Sequence, residues 1–248
     1  MYQKERLDSI LAIIKENGYV TVKYLTEALH YSNATVNRDL NILKAQKLIT
    51  RTYGGVEITE SATVPLEFRY HKAKLAKRRM AECAAGFIRD GDTVFIDGTT
   101  TCEGIGEYIL HVKDLTVITN NMALTAHLAK YGINTVCTGG TVCESPYMLD
   151  GDDAVRTLMR YNTDKVFFAT GGVSENGYVS AVSPSYSLLH QVALNNTKES
   201  FYLVDKSKTG LVLKHNIAPL NKIGTVISDY DFLPETKAAC PDTRFIKV

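Results

Sequence analysis

From about residue 76 onward, short apolar runs alternate with segments of helical periodicity, and this alternation limits the fold more than any other feature of the sequence. The runs are rich in Val, Ile, Phe and Thr, which are typical strand residues. Interleaved strands and helices predict an α/β domain built on a parallel sheet. Strands are expected at Thr93–Asp97, Thr116–Thr119, Asn134–Thr138, Lys165–Ala169, Ser200–Val204 and Thr225–Ser228. Helices are expected near Thr101–Ile109, Met122–Lys130, Asp153–Tyr161 and Tyr186–Asn195.

Glycine and polar residues follow these strands, at the edge where parallel α/β sheets bind their ligands. The segment Asp97-Gly98-Thr99-Thr100-Thr101 opens a helix, so its backbone N–H and hydroxyl groups suit a phosphate. Four more loops reach the same edge, and the five together predict a polar, anion-compatible pocket, although any one loop could need its glycine only for a turn. These four loops contain Thr119-Asn120-Asn121, Thr138-Gly139-Gly140, Thr170-Gly171-Gly172 and Asp205-Lys206-Ser207-Lys208.

The first sixty residues predict three short helices instead. An apolar face from Leu7 to Ile14 marks the first helix, and Gly18 is placed to end it with a left-handed cap. Thr21 and Ser32 are suited to cap a second and a third helix. Three short helices with a tight turn between the last two are the outline of a helix-turn-helix domain.

The third helix is expected to present a polar, amide-rich face opposite its apolar stripe of Val36, Leu40 and Leu43. Asparagine can contact adenine, and arginine can contact guanine, in the major groove of DNA. A polar helix face is often only solvated, but here it accompanies a basic excess and a wing, which favours DNA binding. The helix residues expected at DNA are Ser32, Asn33, Thr35, Asn37, Arg38 and Asn41.

A two-stranded wing is expected directly after this helix. Leu48–Tyr53 reads as a strand, Gly54-Gly55 supplies a tight turn, and Val56–Ile58 reads as the returning strand. Side chains of such a wing can touch phosphates or a minor groove. The wing residues expected at DNA are Arg51, Thr52 and Tyr53.

The charges divide the chain near the same place. The sequence has 28 Lys and Arg against 27 Asp and Glu, which is a net charge of +1. Residues 1–80 carry a net +6 and residues 81–248 a net −5, so the near-neutral total combines two parts of opposite sign. We expect a DNA-binding domain at 1–58, a linker at 59–75 and an effector-binding domain at 76–248. The basic run from Arg69 to Arg79 is either a solvated helix face or a supplementary contact near the DNA backbone.

Several other classes of protein are disfavoured. The five cysteines are odd in number and lack C-x-x-C spacing, which indicates buried thiols in a cytoplasmic protein. No apolar run approaches the roughly 18 residues of a membrane span. Gly104-Ile105-Gly106 lacks the third glycine of a dinucleotide fingerprint, and no cluster of histidine, cysteine and carboxylate has the spacing of metal ligands. We therefore expect no cofactor and no metal.

The N-terminal motifs resemble the DeoR family of bacterial transcription regulators. The resemblance rests on Ser32-Asn-Ala-Thr-Val-Asn-Arg-Asp-Leu40 and on Tyr53-Gly54-Gly55, where the family has S-x-x-T-[IV]-R-R-D-L and a wing that ends H-G-G. Asn37 stands where the family has its first arginine, and Tyr53 stands where it has histidine. Both departures fall on the side that faces DNA, which indicates an altered operator preference.

The second domain resembles the sensor domain of the same family, in Asp97-Gly-Thr-Thr, Thr119-Asn120-Asn121, Gly139-Gly140, Gly171-x5-Gly177 and Asp205-x-Ser207-Lys208. That domain is similar to ribose-5-phosphate isomerase and typically senses phosphorylated sugars. The resemblance implies that threonine hydroxyls and Lys208 hold phosphate, while Asp97 and Asn120 hold sugar hydroxyls. With the other loop residues, the expected effector site comprises Asp97, Gly98, Thr99, Thr100, Thr101, Asn120, Asn121, Gly139, Gly140, Gly171, Gly172 and Lys208.

This domain also departs from the family pattern. Where the family usually has E-A-x-x-K, this chain has Tyr186 at the glutamate and His190 at the lysine. Glu144-Ser145-Pro146 replaces a stretch that is commonly basic or neutral. These changes weaken the case for an ordinary sugar phosphate and favour a different effector.

The whole pattern predicts a transcriptional regulator, a repressor of a carbohydrate-metabolism operon that binds double-stranded operator DNA as a homodimer or homotetramer. A small phosphorylated sugar or related metabolite would control it. The alternative is an enzyme like a sugar-phosphate isomerase, with Asp97, Asp205 and Lys208 available for acid–base chemistry. We expect no enzyme, because the Glu and Lys positions are replaced and a DNA-binding module precedes this domain.

Overall fold

The computed structural model describes residues 3–17, 19–46, 48–52, 55–58, 73–143 and 147–248. It divides the chain into two compact units, Met1–Arg69 and Tyr70–Val248. The expectations for Gly18, Tyr53, Gly54, most of the linker and Glu144-Ser145-Pro146 lie outside the described residues.

The first unit is a winged helix-turn-helix. Its strands form an antiparallel sheet in the order β1–β3–β2. From the sequence, Tyr19-Val20 is too short for more than a brief extended piece, but Tyr19–Thr21 pairs with the wing and forms a third strand of this sheet. The helices are α1 (Gln3–Asn17), α2 (Val22–Leu29) and α3 (Asn33–Ala45). The strands are β1 (Tyr19–Thr21), β2 (Ile49–Thr52) and β3 (Gly55–Ile58).

The predicted helix caps of this unit are confirmed. The Thr21 hydroxyl accepts a hydrogen bond from the Tyr24 N–H at 3.1 Å, and the Ser32 hydroxyl accepts one from the Thr35 N–H at 3.2 Å. Each bond satisfies an N–H group that the first turn of a helix otherwise leaves unpaired. The apolar faces meet in one core, in which the following side chains are fully buried: Ile10, Ile14, Leu25, Val36, Leu40 and Leu43.

The second unit contains a parallel sheet in the order β15–β14–β12–β9–β4–β5–β6. The strands of the whole unit, including those outside this sheet, are β4 (Thr93–Ile96), β5 (Thr116–Thr119), β6 (Asn134–Cys137), β7 (Thr141–Cys143), β8 (Met148–Asp150), β9 (Thr163–Phe168), β10 (Gly172–Val173), β11 (Tyr178–Ala181), β12 (Thr197–Val204), β13 (His215–Pro219), β14 (Thr225–Ser228) and β15 (Arg244–Lys247). Its α-helices are α4 (Lys74–Ala85), α5 (Met122–Lys130), α6 (Asp152–Leu158), α7 (Pro184–Asn195) and α8 (Pro234–Ala238).

Neighbouring side chains of a strand point to opposite faces of the sheet, and helices cover both faces. Phe95 and Phe168 pack with α6 and α7 on one face. Ile96 and Phe167 pack with α4 and α5 on the other face. The order places β4 between β9 and β5, so the loops that follow these three strands lie side by side. The predicted parallel α/β architecture is confirmed.

The segment expected to be an α-helix near Thr101–Ile109 is instead a 3-10 helix, Glu103–Tyr108. Gly104 and Gly106 lower its preference for an α-helix. A β-carbon on Gly106 would lie 2.5 Å from Leu124 Cδ1 of α5, so the end of that side chain would have to move. The two glycines therefore account for the irregular helix, and Gly106 leaves room for α5.

The sequence also did not indicate the two small antiparallel sheets of this unit, β7–β8 and β10–β11–β13. Strands of two to five residues carry too few side chains for a clear periodicity. Within the described ranges, no helix is long and apolar enough to cross a membrane.

Candidate functional site

The outer face of α3 carries the side chains that were expected at DNA. Asn33, Arg38 and Asn41 are exposed, while Asn37 is half-buried. Ser32 precedes the helix as its cap, and its hydroxyl also lies 2.9 Å from the hydroxyl of Thr35. For the wing, the structure describes the side chain of Arg51 but not that of Thr52.

Arg51 and three asparagines form a continuous hydrogen-bonded network on this face. From β2, Arg51 Nη1 donates to Asn41 Oδ1 at 2.9 Å, and Nη2 donates to Asn37 Oδ1. Asn37 Nδ2 donates in turn to the carbonyl of Asn33 at 3.0 Å, and also to Asn33 Oδ1. The wing and the recognition helix therefore share one polar surface.

Asp39 belongs to the same motif but faces the protein interior. Its side chain is fully buried and forms a two-point ion pair with Arg6 of α1, in which Arg6 Nη2 donates to Asp39 Oδ1 at 3.0 Å. The guanidinium of Arg6 also lies over the ring of Tyr31, 5.1 Å from its centroid. The bond to Asp39 raises the pKa of Arg6. This pair fixes α3 to α1 and keeps a negative charge away from the DNA face.

The second site is the carboxyl edge of the parallel sheet, where the predicted loops follow adjacent strands. Asp97 follows β4 and is fully buried. The Tyr186 hydroxyl donates to both of its oxygens, at 2.7 and 2.9 Å, and the Ala169 N–H lies 3.3 Å from Oδ2. Burial, followed by the charge of Asp97, raises the pKa of the Cys102 thiol well above its usual value. Asp97 thus contacts the protein through both oxygens.

The two departures from the family pattern, Tyr186 and His190, both lie against Asp97. His190 is fully buried, and its Nδ1 donates to the Tyr186 carbonyl at 2.7 Å, because a carbonyl oxygen can only accept. Its Nε2 lies 3.4 Å from Asp97 Oδ1 and has no hydrogen-bond partner in the described part of the chain. The rings of Tyr186 and His190 meet edge to face, with centroids 4.2 Å apart.

Asn120 and Asn121 join the loop after β5 to the loop after β4. Asn120 Oδ1 accepts from the Gly98 N–H at 2.7 Å, and Nδ2 donates to the Leu149 carbonyl at 2.9 Å. Asn121 caps α5 and donates from Nδ2 to Glu103 Oε2 at 2.9 Å. A β-carbon on Gly98 would lie 3.0 Å from Asn120 Oδ1, so glycine is needed for this approach. Both asparagines are fully buried.

Three of the other predicted glycines, Gly140, Gly171 and Gly172, lie close to atoms of neighbouring segments, whereas Gly139 has open space beside it. A β-carbon would lie 2.5 Å from the Asp150 carbonyl oxygen at Gly140, 2.4 Å from Leu213 Cδ1 at Gly171 and 2.7 Å from the Leu211 carbonyl oxygen at Gly172. Gly139 and Gly140 also have positive φ angles, 71° and 114°. Lys208 is half-buried in a short 3-10 helix after β12.

Thr100, which is half-buried, and Thr101, which is buried, line an open cleft of about 810 Å³. Lys77 of α4 donates to Thr100 Oγ1 at 2.9 Å. Arg78 Nε donates to the Tyr108 hydroxyl at 3.2 Å, and this bond raises the pKa of Arg78. The remaining ionisable residues that line the cleft are Lys74, Glu103, Glu107 and His127.

The sequence did not assign the three basic residues of α4 that line this cleft, Lys74, Lys77 and Arg78, to a ligand site. The signal was their place in the basic run before Met80, which was interpreted as a solvated face or a contact to DNA. In the described ranges, no group of three or more histidine, cysteine and carboxylate side chains is placed to hold a metal ion.

Two family models match the sequence: a DeoR-like helix-turn-helix domain over residues 6–62, and a DeoR C-terminal sensor domain over residues 72–230. The chain belongs to the DeoR family of transcriptional regulators. It is therefore a regulator and not an enzyme. The match covers both domains and includes the recognition helix and the loops at the carboxyl edge of the sheet.

Similar proteins include two DeoR family repressors. The HTH-type transcriptional repressor GlcR of Bacillus subtilis is 31% identical over 235 residues, which span 92% of this chain and 89% of that protein. The lactose phosphotransferase system repressor of Staphylococcus aureus is 30% identical over 245 residues, which span 93% of this chain and 94% of that protein. Among solved structures, ribose 5-phosphate isomerase from Plasmodium falciparum has a TM-score of 0.39 at 14% identity, covering 54% of this chain and 52% of that chain.

Proposed function

We propose that this DeoR family regulator represses genes of carbohydrate metabolism and that a small phosphorylated metabolite, a sugar phosphate, controls its binding to operator DNA. It acts in the cytoplasm as a homodimer or homotetramer, because paired half-sites on DNA match the two-fold symmetry of a dimer. The relatives named as repressors support the first part. The cleft beside α4 supports the second.

The observation that carries the effector proposal is the contact between Lys77 and Thr100. An ammonium group and a hydroxyl 2.9 Å apart offer a phosphate oxygen a charged and a neutral donor at one place. Lys74 and Arg78 line the same cleft, so three basic side chains of α4 are available on this side of it. We assign the phosphate group of the effector to the side of the cleft formed by Lys77 and Thr100.

The same cleft also contains acidic side chains that can accept hydrogen bonds. Glu103 and Glu107 also line it, and carboxylates accept hydrogen bonds from sugar hydroxyls. Asp97 and Asn120 are fully buried and bonded to protein groups, so we assign them the role of holding the loop that carries Thr100. The expected phosphate contact of Lys208 stays a prediction, because Lys208 is not among the residues that line this cleft.

Thermal unfolding of the full chain tests the effector site. Phosphorylated pentoses and hexoses are compared with the same sugars without phosphate, and a ligand that binds the folded state raises the melting temperature. We expect a shift with a phosphorylated sugar only, and its loss in Lys77→Ala. Lys222→Ala, which removes an exposed lysine elsewhere in the domain, should keep the shift. Equal shifts with the free sugar, or an unchanged shift in Lys77→Ala, contradict the assignment.

A further inference from the structure

The DNA face of this chain lacks the arginine that the family pattern has at position 37, and Arg51 bonds to the asparagine that stands there. Asn37 and Asn41 are one helical turn apart, so they lie on the same face of α3. The Arg51 guanidinium reaches both of them from the adjoining strand β2. The guanidinium of Arg51 thus lies against the recognition helix α3, although position 37 itself is an asparagine.

The two asparagines leave Arg51 with donors to spare. Each terminal nitrogen of an arginine has two N–H groups, and each here donates one to an asparagine oxygen. The second N–H group of each has no partner among the residues that the structure describes. Arginine presents its N–H groups in a planar fork that O6 and N7 of guanine accept in the major groove, and the N–H groups that the asparagines leave over are available to a base.

The asparagines themselves are held in place. Asn37 Nδ2 is bonded to the carbonyl and side-chain oxygens of Asn33, which directs its Oδ1 toward Arg51. A guanidinium that is already oriented loses less conformational freedom on binding than one that moves freely. Asn37 therefore orients another residue and has less capacity to read a base itself.

We propose that Arg51 reads a guanine of the operator in the major groove, and that Asn37 and Asn41 are its positioning residues. This replaces the contact to phosphate or a minor groove that a wing residue is expected to make. The proposal rests on the assignment of the first unit as an operator-binding domain. It makes specificity at one base pair depend on three side chains from two elements.

The test begins with selection of preferred sites from random double-stranded DNA by the full wild-type chain. Affinities are then measured by fluorescence anisotropy for the selected site and for sites in which each G·C pair is replaced in turn. A bidentate arginine–guanine contact corresponds to about 5- to 150-fold discrimination against the wrong base. We expect such a preference at one G·C pair in each half-site.

Arg51→Lys keeps the charge but lacks the fork, so the preference at that pair should fall to less than about 3-fold while preferences elsewhere remain. Asn37→Ala and Asn41→Ala should weaken the preference at the same pair. Lys44→Ala removes an exposed cation from the last turn of α3 and should leave every preference unchanged.

Two other results overturn the proposal. If Arg51→Lys lowers affinity equally for all sites and keeps every preference, Arg51 contacts phosphate. If Arg51→Lys does not fold, as circular dichroism would show, unchanged preferences in Asn37→Ala and Asn41→Ala overturn it instead. A wild-type chain that selects no sequence would contradict the operator-binding function itself, which is a different outcome.

Discussion

Replacing Tyr186 with phenylalanine tests whether the hydroxyl group holds the effector loop through Asp97. The substitution removes one oxygen and leaves the ring in place against His190. Asp97 then loses bonds at 2.7 and 2.9 Å and retains the longer contact from the Ala169 N–H at 3.3 Å. Because Asp97 is fully buried, water does not replace the lost donor.

The size of the effect follows from the kind of bond. A hydrogen bond to a charged group contributes about 1.5–3 kcal/mol, and a buried acceptor left without its donor bears a cost of similar size. For a domain of 150–250 residues, each kcal/mol corresponds to about 2–4 °C, so Tyr186→Phe should lower the melting temperature of the second unit by about 3–12 °C.

The measurement is thermal and urea unfolding of the full chain at pH 7, followed by near-ultraviolet circular dichroism. Tyr178→Phe is the matched control, because Tyr178 is 45% exposed on β11 and changes only a solvated hydroxyl. It should alter the free energy of unfolding by less than about 0.5 kcal/mol. If Tyr186→Phe matched this control, the hydroxyl would not stabilise Asp97, and our account of the buried network would be wrong.

Two further predictions concern packing and pH. Gly98→Ala should lower the free energy of unfolding by about 1–3 kcal/mol, because the new β-carbon would lie 2.8 Å from a methionine side chain of β8; an unchanged urea midpoint contradicts this. The hydrogen bond from Lys198 lowers the pKa of Asp164, so its stabilisation is present above about pH 4 and is lost as the pH falls further. Asp164→Asn should therefore have a lower free energy of unfolding than wild type at pH 7, and urea titrations should show this difference shrinking below pH 4. A difference that stays constant with pH would show that the bond between Lys198 and Asp164 does not stabilise the fold.

The main sheet was predictable because its strands are buried on both faces. The expected bounds of Thr116–Thr119 and Thr225–Ser228 match the structure, and both segments place β-branched residues in a largely buried strand. β15 was missed because Arg244–Lys247 begins and ends with a charge and pairs on one side only, as an edge strand. Local composition therefore predicts strands that are fully buried, but it predicts strands at the edge of a sheet poorly.

The candidate sites were predictable as loops and helix faces, but the contacts within them were not. Asp97 and Tyr186 are separated by 89 positions in the chain, and no local pattern relates them. Sequence reasoning interpreted Tyr186 and His190 as a change of effector, whereas the structure adds that both lie against Asp97. Lys77 joins Thr100 only because α4 packs beside the 3-10 helix.

The sequence by itself determined the division into a winged helix-turn-helix and a parallel α/β domain, together with the helix caps and the loops that meet at the sheet edge. These properties follow from apolar periodicity and from residue types at element ends, which are local. The tertiary structure alone decided that Asp97 is buried and paired, that the cleft is lined by α4, and that Arg51 lies on Asn37 and Asn41. Each of these depends on which distant side chains the packing of whole elements brings within hydrogen-bonding distance.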